Sequence, residues 1–502
     1  MRREWLVGGT ALLLAAAVAL WRLAALRSVA SADAGPGGAD PPASKSIAVL
    51  PLANVGDSAS DYFAAGMTDE IATTLGRIPG LRIASRTSTR ALLGRANATI
   101  AQIGKALRVS AVLEGTVRRD GLRVRVLANL ISVADGSSLW SDSFDGTVTD
   151  VFRVQDSVAS AIAKRLEITL GGSAKAAVAV HGTRSVAAQD FFWQAQYAGA
   201  RVSARDQRTA IALYDSALTR DPRFADAWAG KAYSWFILAD DFLPPNEAYP
   251  QAEFAVKKAL EIDPASATAH SNYGLIVWWY RWDADAGERE ILRAVTLSPQ
   301  SVGALVNYGT LLGHTKRSTA AIDQLQRALR LDSLSANPNN QLALGFLYAG
   351  RFAEALAQAQ HTAELFPATG TSTLGKAFRA LGRYPEALAA FRRANELGYR
   401  TARGEEGITL AMAGQRDQAL AIAHELERER QASYVAADLI ARIYLCAGRL
   451  GDGFRWLDTA FTERSGYLTQ LDVKQEYEPF HADPRFIALK QRVQAVAAPA
   501  RR

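Results

Sequence analysis

Cysteine is nearly missing from this chain. Cys446 is the only one in 502 residues, which excludes an intramolecular disulfide and any cysteine-rich zinc site. Histidine is thin as well. His181, His270, His314, His361, His424 and His481 lie far apart in sequence, and His424-Glu425 lacks the second histidine of a zinc-protease motif. Net charge is +7, yet no run of five or more basic residues occurs. An excess spread this thinly reads as a mildly basic surface and not as a nucleic-acid footprint. The paired H-R-D and D-F-G signatures of kinases are absent. The stretch "GTSTLG" (Gly370 to Gly375) is not the G-x-S-x-G of a nucleophile elbow. The expectation is a chain that is no enzyme, with no catalytic or metal-binding residues, no nucleic-acid partner and no small-molecule cofactor.

One segment raises a nucleotide question. "SIAVLPLANVGDSASDYFAAGMTDEI" (Ser46 to Ile71) reads as strand, glycine-containing loop and helix. A phosphate loop needs closely spaced glycines or a lysine after them. Here Gly56 and Gly66 are ten apart with no lysine nearby, and Asp57, Asp61, Asp69 and Glu70 crowd the helix start. Negative charge there opposes an anion. Asp57, Ser58 and Ser60 are better read as helix caps.

Long apolar runs are scarce, with one exception. Trp5 to Leu26 is a 22-residue apolar stretch, long enough at roughly 33 Å to span a hydrocarbon core. Arg22 near its end can snorkel, and Trp5 and Trp21 suit the interfaces. The reading is a retained anchor in the inner membrane, single-pass, with the body extracytoplasmic. A cleaved signal peptide ending at Ala30-Ser31-Ala32 is the alternative, opposed by Arg22 and Arg27 before that site. Residues 28–44 form a Gly/Pro linker.

From Lys45 to Leu170 strands and helices mix. Strands are expected at Ile47–Leu52, Leu81–Ala84 and Ser138–Phe144, with helices at Asp61–Arg77, Ile100–Leu107 and Val151–Leu170. Asp120-Gly121 predicts a two-residue hairpin turn, followed by Leu122, Val124 and Val126 on a buried face and Arg123 and Arg125 on a wet one. Asp135-Gly136 marks the next turn. These segments, with "IGKALRVSAVLEGTVRRDGLRVRVLANLISVADGSSLWSDSF" and "DVFRVQDSVASAIAKRL" in that order, resemble the TolB-like amino-terminal domain. The resemblance implies a bacterial envelope protein and no catalytic residues in this domain. It also implies neighbours: an N-terminal serine/threonine kinase, nucleotide cyclase or winged-helix module in some relatives, and tetratricopeptide repeats after it. With an apolar segment starting at residue 5, the expectation is that no such module lies upstream.

The remainder repeats. Ala210, Ala252, Gly287, Ala321, Ala355, Ala387, Ala419 and Gly453 open a pattern of small residue, larger residue four later and small residue three after that. Their spacing runs from 32 to 42 residues, mostly near 34, which is the tetratricopeptide period. Pro222, Pro264, Pro299 and Pro367 fall where second helices end, and Gly350, Gly382, Gly414 and Gly448 where paired helices turn. The small first residue should let paired helices approach, and the larger one should fill the gap to the next pair. The longest step is assigned to an inserted loop, Asp240 to Pro250. The tail "EYEPFHADPRFIALKQRV" reads as a turn and a capping helix.

The expected organisation is therefore multidomain: membrane anchor 1–27, linker 28–44, α/β domain 45–170, linker 171–187, an all-α superhelical solenoid of about eight helix pairs over 188–463, and a C-terminal cap over 464–502. Function is expected to be that of a membrane-tethered scaffold or sensor for protein or peptide partners. The alternative is the sensory half of a signalling protein whose N-terminal module is missing or separately encoded. The candidate partner groove is drawn from the aromatic-rich second and third repeats: Trp228, Lys231, Tyr233, Asn272, Tyr273, Trp278, Trp279 and Asn307. Packing explains many of these rings, and the asparagines also suit a structural role, bonding neighbouring backbone.

Overall fold

The computed structural model describes residues 45–78, 80–93, 99–166 and 182–497. All of them belong to one compact unit. The expected anchor, both linkers up to residue 181 and the last five residues of the cap lie outside the described residues. The membrane-spanning helix, the membrane as a partner and the single-pass inner-membrane location require correction. No helix among the described residues is long and apolar enough to cross a membrane.

The first part is a mixed sheet with helices on both faces. β1 (Ser46–Val49) lies between β3 (Arg82–Ile83) and β4 (Ala111–Asp120), parallel to each, and the short β2 (Ala53–Asn54) also pairs parallel with β4. β4, β5 (Arg123–Ser132) and β6 (Ser138–Thr147) form an antiparallel meander. Val124, Val126, Ala128 and Leu130 point inward from β5, as alternation requires. The hairpin turn is shifted from its expected place. Asp120 pairs with Arg123, so Gly121 and Leu122 are the turn. Gly121 takes φ +57°, the first position of a II′ turn, and Leu122 is thrown into solvent at 70% exposure.

Helices α1 (Asp61–Gly76) and α4 (Val151–Arg165) cover one face of the sheet, while α2 (Arg86–Leu93) and α3 (Ile100–Leu107) lie toward the other. Asp57 caps only a 3-10 turn, accepting from the Ala59 amide, and Ser60 makes no side-chain cap at α1. Gly66 has a packing role. A Cβ there would lie 2.3 Å from Trp193, which stands edge-on to Phe63 with centroids 5.3 Å apart.

Trp193 belongs to α5 (Val186–Gly199), the first helix of a solenoid. The pairs are α5 with α6 (Ala204–Arg220), α7 (Ala225–Leu238) with α8 (Pro245–Ile262), α9 (Ala267–Arg281) with α10 (Ala284–Leu297), and α11 (Val302–His314) with α12 (Ser318–Leu331). They continue as α13 (Ala336–Tyr348) with α14 (Phe352–Leu365), α15 (Pro367–Ala380) with α16 (Tyr384–Glu396), α17 (Ala402–Met412) with α18 (Arg416–Glu429), and α19 (Ala437–Cys446) with α20 (Leu450–Thr462). Two 3-10 turns, Gly466–Gln470 and Gln475–Phe480, precede α21 (Pro484–Ala497). This is a tetratricopeptide-type helical repeat. The predicted small residues all fall on second helices, and Ala210, Ala252, Ala321, Ala355, Ala387 and Ala419 have no exposed surface. The larger residues do not all bridge to the next pair. Ile291 and Phe391 pack back onto Gly274 and Gly375 of their own first helices, while Leu325 touches both Gly309 of its own pair and Gly345 of the next. The inserted loop is shorter than expected, because Pro245 to Pro250 are the first turns of α8. Pro245 at the start of the helix forfeits no intrahelical bond, whereas Pro250 lies inside it and lacks the N–H that would close one.

The α/β part and the solenoid share one core, running from Ile47 and Phe63 to Trp193 and Tyr214. Arg119 adds a polar tie, donating to Tyr62 Oη at 2.8 Å and to Asp190 at 3.0 Å. A second contact lies further along. Ser88 of α2 donates to Asp332, and its hydroxyl accepts from the Leu334 amide at 2.9 Å.

Candidate functional site

First helices line the concave side of a helical-repeat solenoid, so the chemistry of that side is set by what they point inward. Here it is a channel crossed by a segment of the same chain. The 3-10 turns between α20 and α21 run along it, the first touching α9 and α11 and the second α15 and α19.

The loop between α7 and α8 holds the entry. Asp240 is buried, with φ +65°. Its carboxylate accepts from Ser465 Oγ at 2.7 Å, Tyr249 Oη at 2.8 Å and the Gly466 amide at 3.0 Å. Burial pushes the Asp240 carboxyl up to about 7, although those three donors pull it down. Asp241 accepts from Tyr467 Oη at 2.8 Å. Gly466 lies so close to the Trp279 ring that a Cβ would approach it to 2.2 Å, and Tyr467 meets the same ring edge-on at 5.8 Å. Leu468 and Leu471 are then buried beside His314 and Trp282. His314 is pushed down to about 3 by burial and by the charge of Lys474, so it is neutral. A cavity of about 340 Å³ remains here, lined by Trp278, His314, Lys316, Asp472 and Lys490 among others.

The far half of the channel is ionic. Arg379 of α15 donates to Glu405 of α17 at 2.7 Å and, on its other arm, to Glu476 of the segment. Arg442 of α19 lies 3.3 Å from Glu405 and from Asp438, and 3.4 Å from Glu476. Lys474 pairs with Asp438 at 3.3 Å. Burial raises the Glu405 and Glu476 carboxyls, but Arg379 and Arg442 outweigh it and hold both below the usual carboxylate range. Burial and the Arg442 charge push Lys474 down to about 8. Among the described residues no three His, Cys, Asp or Glu side chains are grouped so as to hold a metal.

The expected groove residues divide. Trp278 is a core residue, 1% exposed, and Trp279 packs against the segment. Asn272 donates to the Ala229 carbonyl at 3.1 Å and Asn307 to Ser271 Oγ at 2.9 Å, so both tie adjacent first helices together. The Trp228 indole donates to the Pro222 carbonyl at 3.0 Å, and Lys231 lies over its ring while pairing with Asp215 at 2.5 Å. Tyr273 is half-buried under Lys257. Only Tyr233 is open, at 45% exposure, stacked on Phe236, which in turn meets Trp279.

Sequence reasoning missed the charged half of the site and its occupant. Two signals were present. Glu405-Glu406 breaks the small and apolar inner face of α17, and Trp282 occupies the turn position that four other pairs give to glycine.

No protein-family model matches this chain. The curated relative it matches is a Rhizobium meliloti (strain 1021) protein named "Putative adenylate cyclase 3", 32% identical over 245 residues. That match covers 48% of this chain and spans 41% of the relative's length. Solved structures similar to parts of the chain include Pseudomonas aeruginosa pilF, 21% identical over 43% of this chain and 96% of that one, with a TM-score of 0.32. PilW, a type IV pilus biogenesis factor, is 22% identical over 41% and 92%, at 0.33. YrrB, a tetratricopeptide protein with an unusual peptide-binding site, is 20% identical over 39% and 93%, at 0.26. The helical-repeat assignment rests on the paired helices and their buried small residues.

Proposed function

We propose that the chain is a non-enzymatic scaffold that binds protein or peptide partners through its helical repeats. The TolB-like resemblance of the α/β part makes that part a second docking surface. One observation carries the reading: the concave side already holds a peptide segment of 3-10 turns, through side chains supplied by four first helices and the Asp240 loop. A surface that holds one such segment by aromatic, carboxylate and guanidinium contacts has the chemistry to hold others. The test is a photo-reactive amino acid placed at Tyr233, beside the channel, and at Leu292, an exposed position on the second helix α10. A defined protein cross-linked at Tyr233 and not at Leu292 is expected. Identical products at both positions, or none at Tyr233, count against the reading.

A second reading is favoured by the Rhizobium relative. In it the chain is the sensory part of a signalling system whose kinase, cyclase or winged-helix module is separately encoded. A coding sequence for such a module beside this one would support it. Conversion of ATP to cyclic AMP by the purified chain would overturn the non-enzymatic reading in either form.

A further inference from the structure

The geometry points to residues 465–480 as a resident, displaceable ligand of the channel, released when a peptide of the same chemistry takes its place. That chemistry is a glycine-tyrosine step, buried leucines, and a glutamate about ten residues further on. The inference rests on the scaffold reading in one respect, that the channel is where a partner docks.

Three features distinguish the segment from ordinary core. Its backbone hydrogen bonds to one another are local, as from Leu468 to Ser465 and from Tyr477 to Lys474. Its backbone meets the solenoid through side chains instead: Asp240 takes the Gly466 amide and the Trp282 indole donates to the Ser465 carbonyl at 3.0 Å. Peptide ligands are gripped in this way. Second, recognition is specific at its start, because only glycine fits between Trp279 and Asp240. Third, the far half of the interface is largely charge against charge, with Tyr477 beside it buried in an apolar core with Phe454, Leu457 and Phe486. Separating buried ions returns each to water, and that regained hydration offsets most of the attraction lost, so such contacts set register more than they add stability. An apolar interface of equal area would have no such compensation. The segment follows α20 directly in the chain. Tethering gives it a millimolar-range effective concentration, which a partner must overcome.

Hydrogen exchange on the full-length wild-type chain tests this without any substitution. Amides of 466–477 are expected to exchange at least about tenfold faster than those of α17 and α19, the mark of a local opening. Excess synthetic peptide of residues 464–482 is expected to raise their exchange further, and the labelled peptide to bind saturably. Gly466→Ala, or Glu476→Gln should the first variant fold poorly, alters the resident segment and leaves the channel's own side chains in place; either is expected to tighten binding of the wild-type peptide about tenfold and to leave exchange in α13 and α14 unchanged. Exchange of 466–477 only at the α17 and α19 rate would make the segment permanent core and overturn the proposal. So would peptide that fails to bind either the wild type or an opened variant. Peptide displacement without any partner cross-linked at Tyr233 would leave this inference standing and count against the scaffold reading alone.

Discussion

Trp282 donates its indole N–H to the carbonyl of Ser465, which lies 183 residues later in the chain, at 3.0 Å. Trp282 sits with φ +56° at the turn between α9 and α10, the position filled by Gly350, Gly382, Gly414 and Gly448 in later pairs. A side chain in left-handed backbone costs roughly 1–2 kcal/mol. The strain is held where the ring closes over the channel segment, beside Phe461 at 5.3 Å. Trp282→Gly should therefore relieve the backbone and loosen the segment together. Faster exchange at Gly466, with α13 exchange unchanged, is the expected outcome, and protection at Gly466 equal to wild type would refute it.

Arg379 is the keystone of the ionic half. Removing it leaves Glu405 and Glu476 buried and facing each other without their main counter-charge. Arg379→Ala should cost about 3–5 kcal/mol, the usual consequence of breaking a buried pair. Asp145→Ala, which breaks an exposed pair with Arg125, should leave stability nearly unchanged. Urea unfolding of the two variants separates the cases.

The channel should respond to pH in two directions. Glu405 and Glu476 are held low, so their contribution is present above the ordinary carboxylate range near ~4.3 and lost as pH falls through their depressed values. Asp240, raised to about 7, works oppositely. The folded chain keeps a proton that the unfolded chain releases near ~3.9, so that contribution is full below ~3.9 and lost as pH rises through about 7. Lys474, lowered to about 8, adds stability only as pH climbs beyond that. His314, lowered to about 3, adds stability as pH rises to ~6.5 and opposes Asp240, so the test is the difference: from about pH 5 to 7.5 the wild type should lose stability relative to Asp240→Asn. Parallel profiles would remove Asp240 from the account.

Trp278 and Tyr233 should part company. Trp278→Ala removes a buried ring and should cost about 3–5 kcal/mol. Tyr233→Ala, at an exposed ring, should change stability by no more than about 0.5 kcal/mol. Thermal melting of both variants decides it, and equal melting would mean that neither ring is placed as described.

Gly66→Ala should destabilise by about 1–3 kcal/mol, because the added methyl meets Trp193 where α1 and α5 cross. The shared core of the two parts predicts a single melting transition that shifts as a whole. A variant that melts the α/β part alone, with the solenoid unchanged, would contradict that coupling.

Local pattern alone carried the helical repeats and the half-buried strand β5, because a period near 34 and an alternation of two are properties of neighbouring residues. Ala210 and Ala387 were recognisable as contact points between paired helices without any coordinates. Turn chemistry was legible to within one residue, and Gly121 shows why not closer: Asp-Gly and Gly-Leu both make two-residue turns, and the pairing of Asp120 with Arg123 chose between them. What the sequence could not determine is the occupant of the channel. Asp240 and Gly466 are 226 residues apart, and Arg379 and Glu476 are 97 apart. No local period links them. They meet only because successive pairs each rotate by a small angle, so that the curvature summed over the solenoid brings the last turns of the chain into the hollow made by the earlier ones.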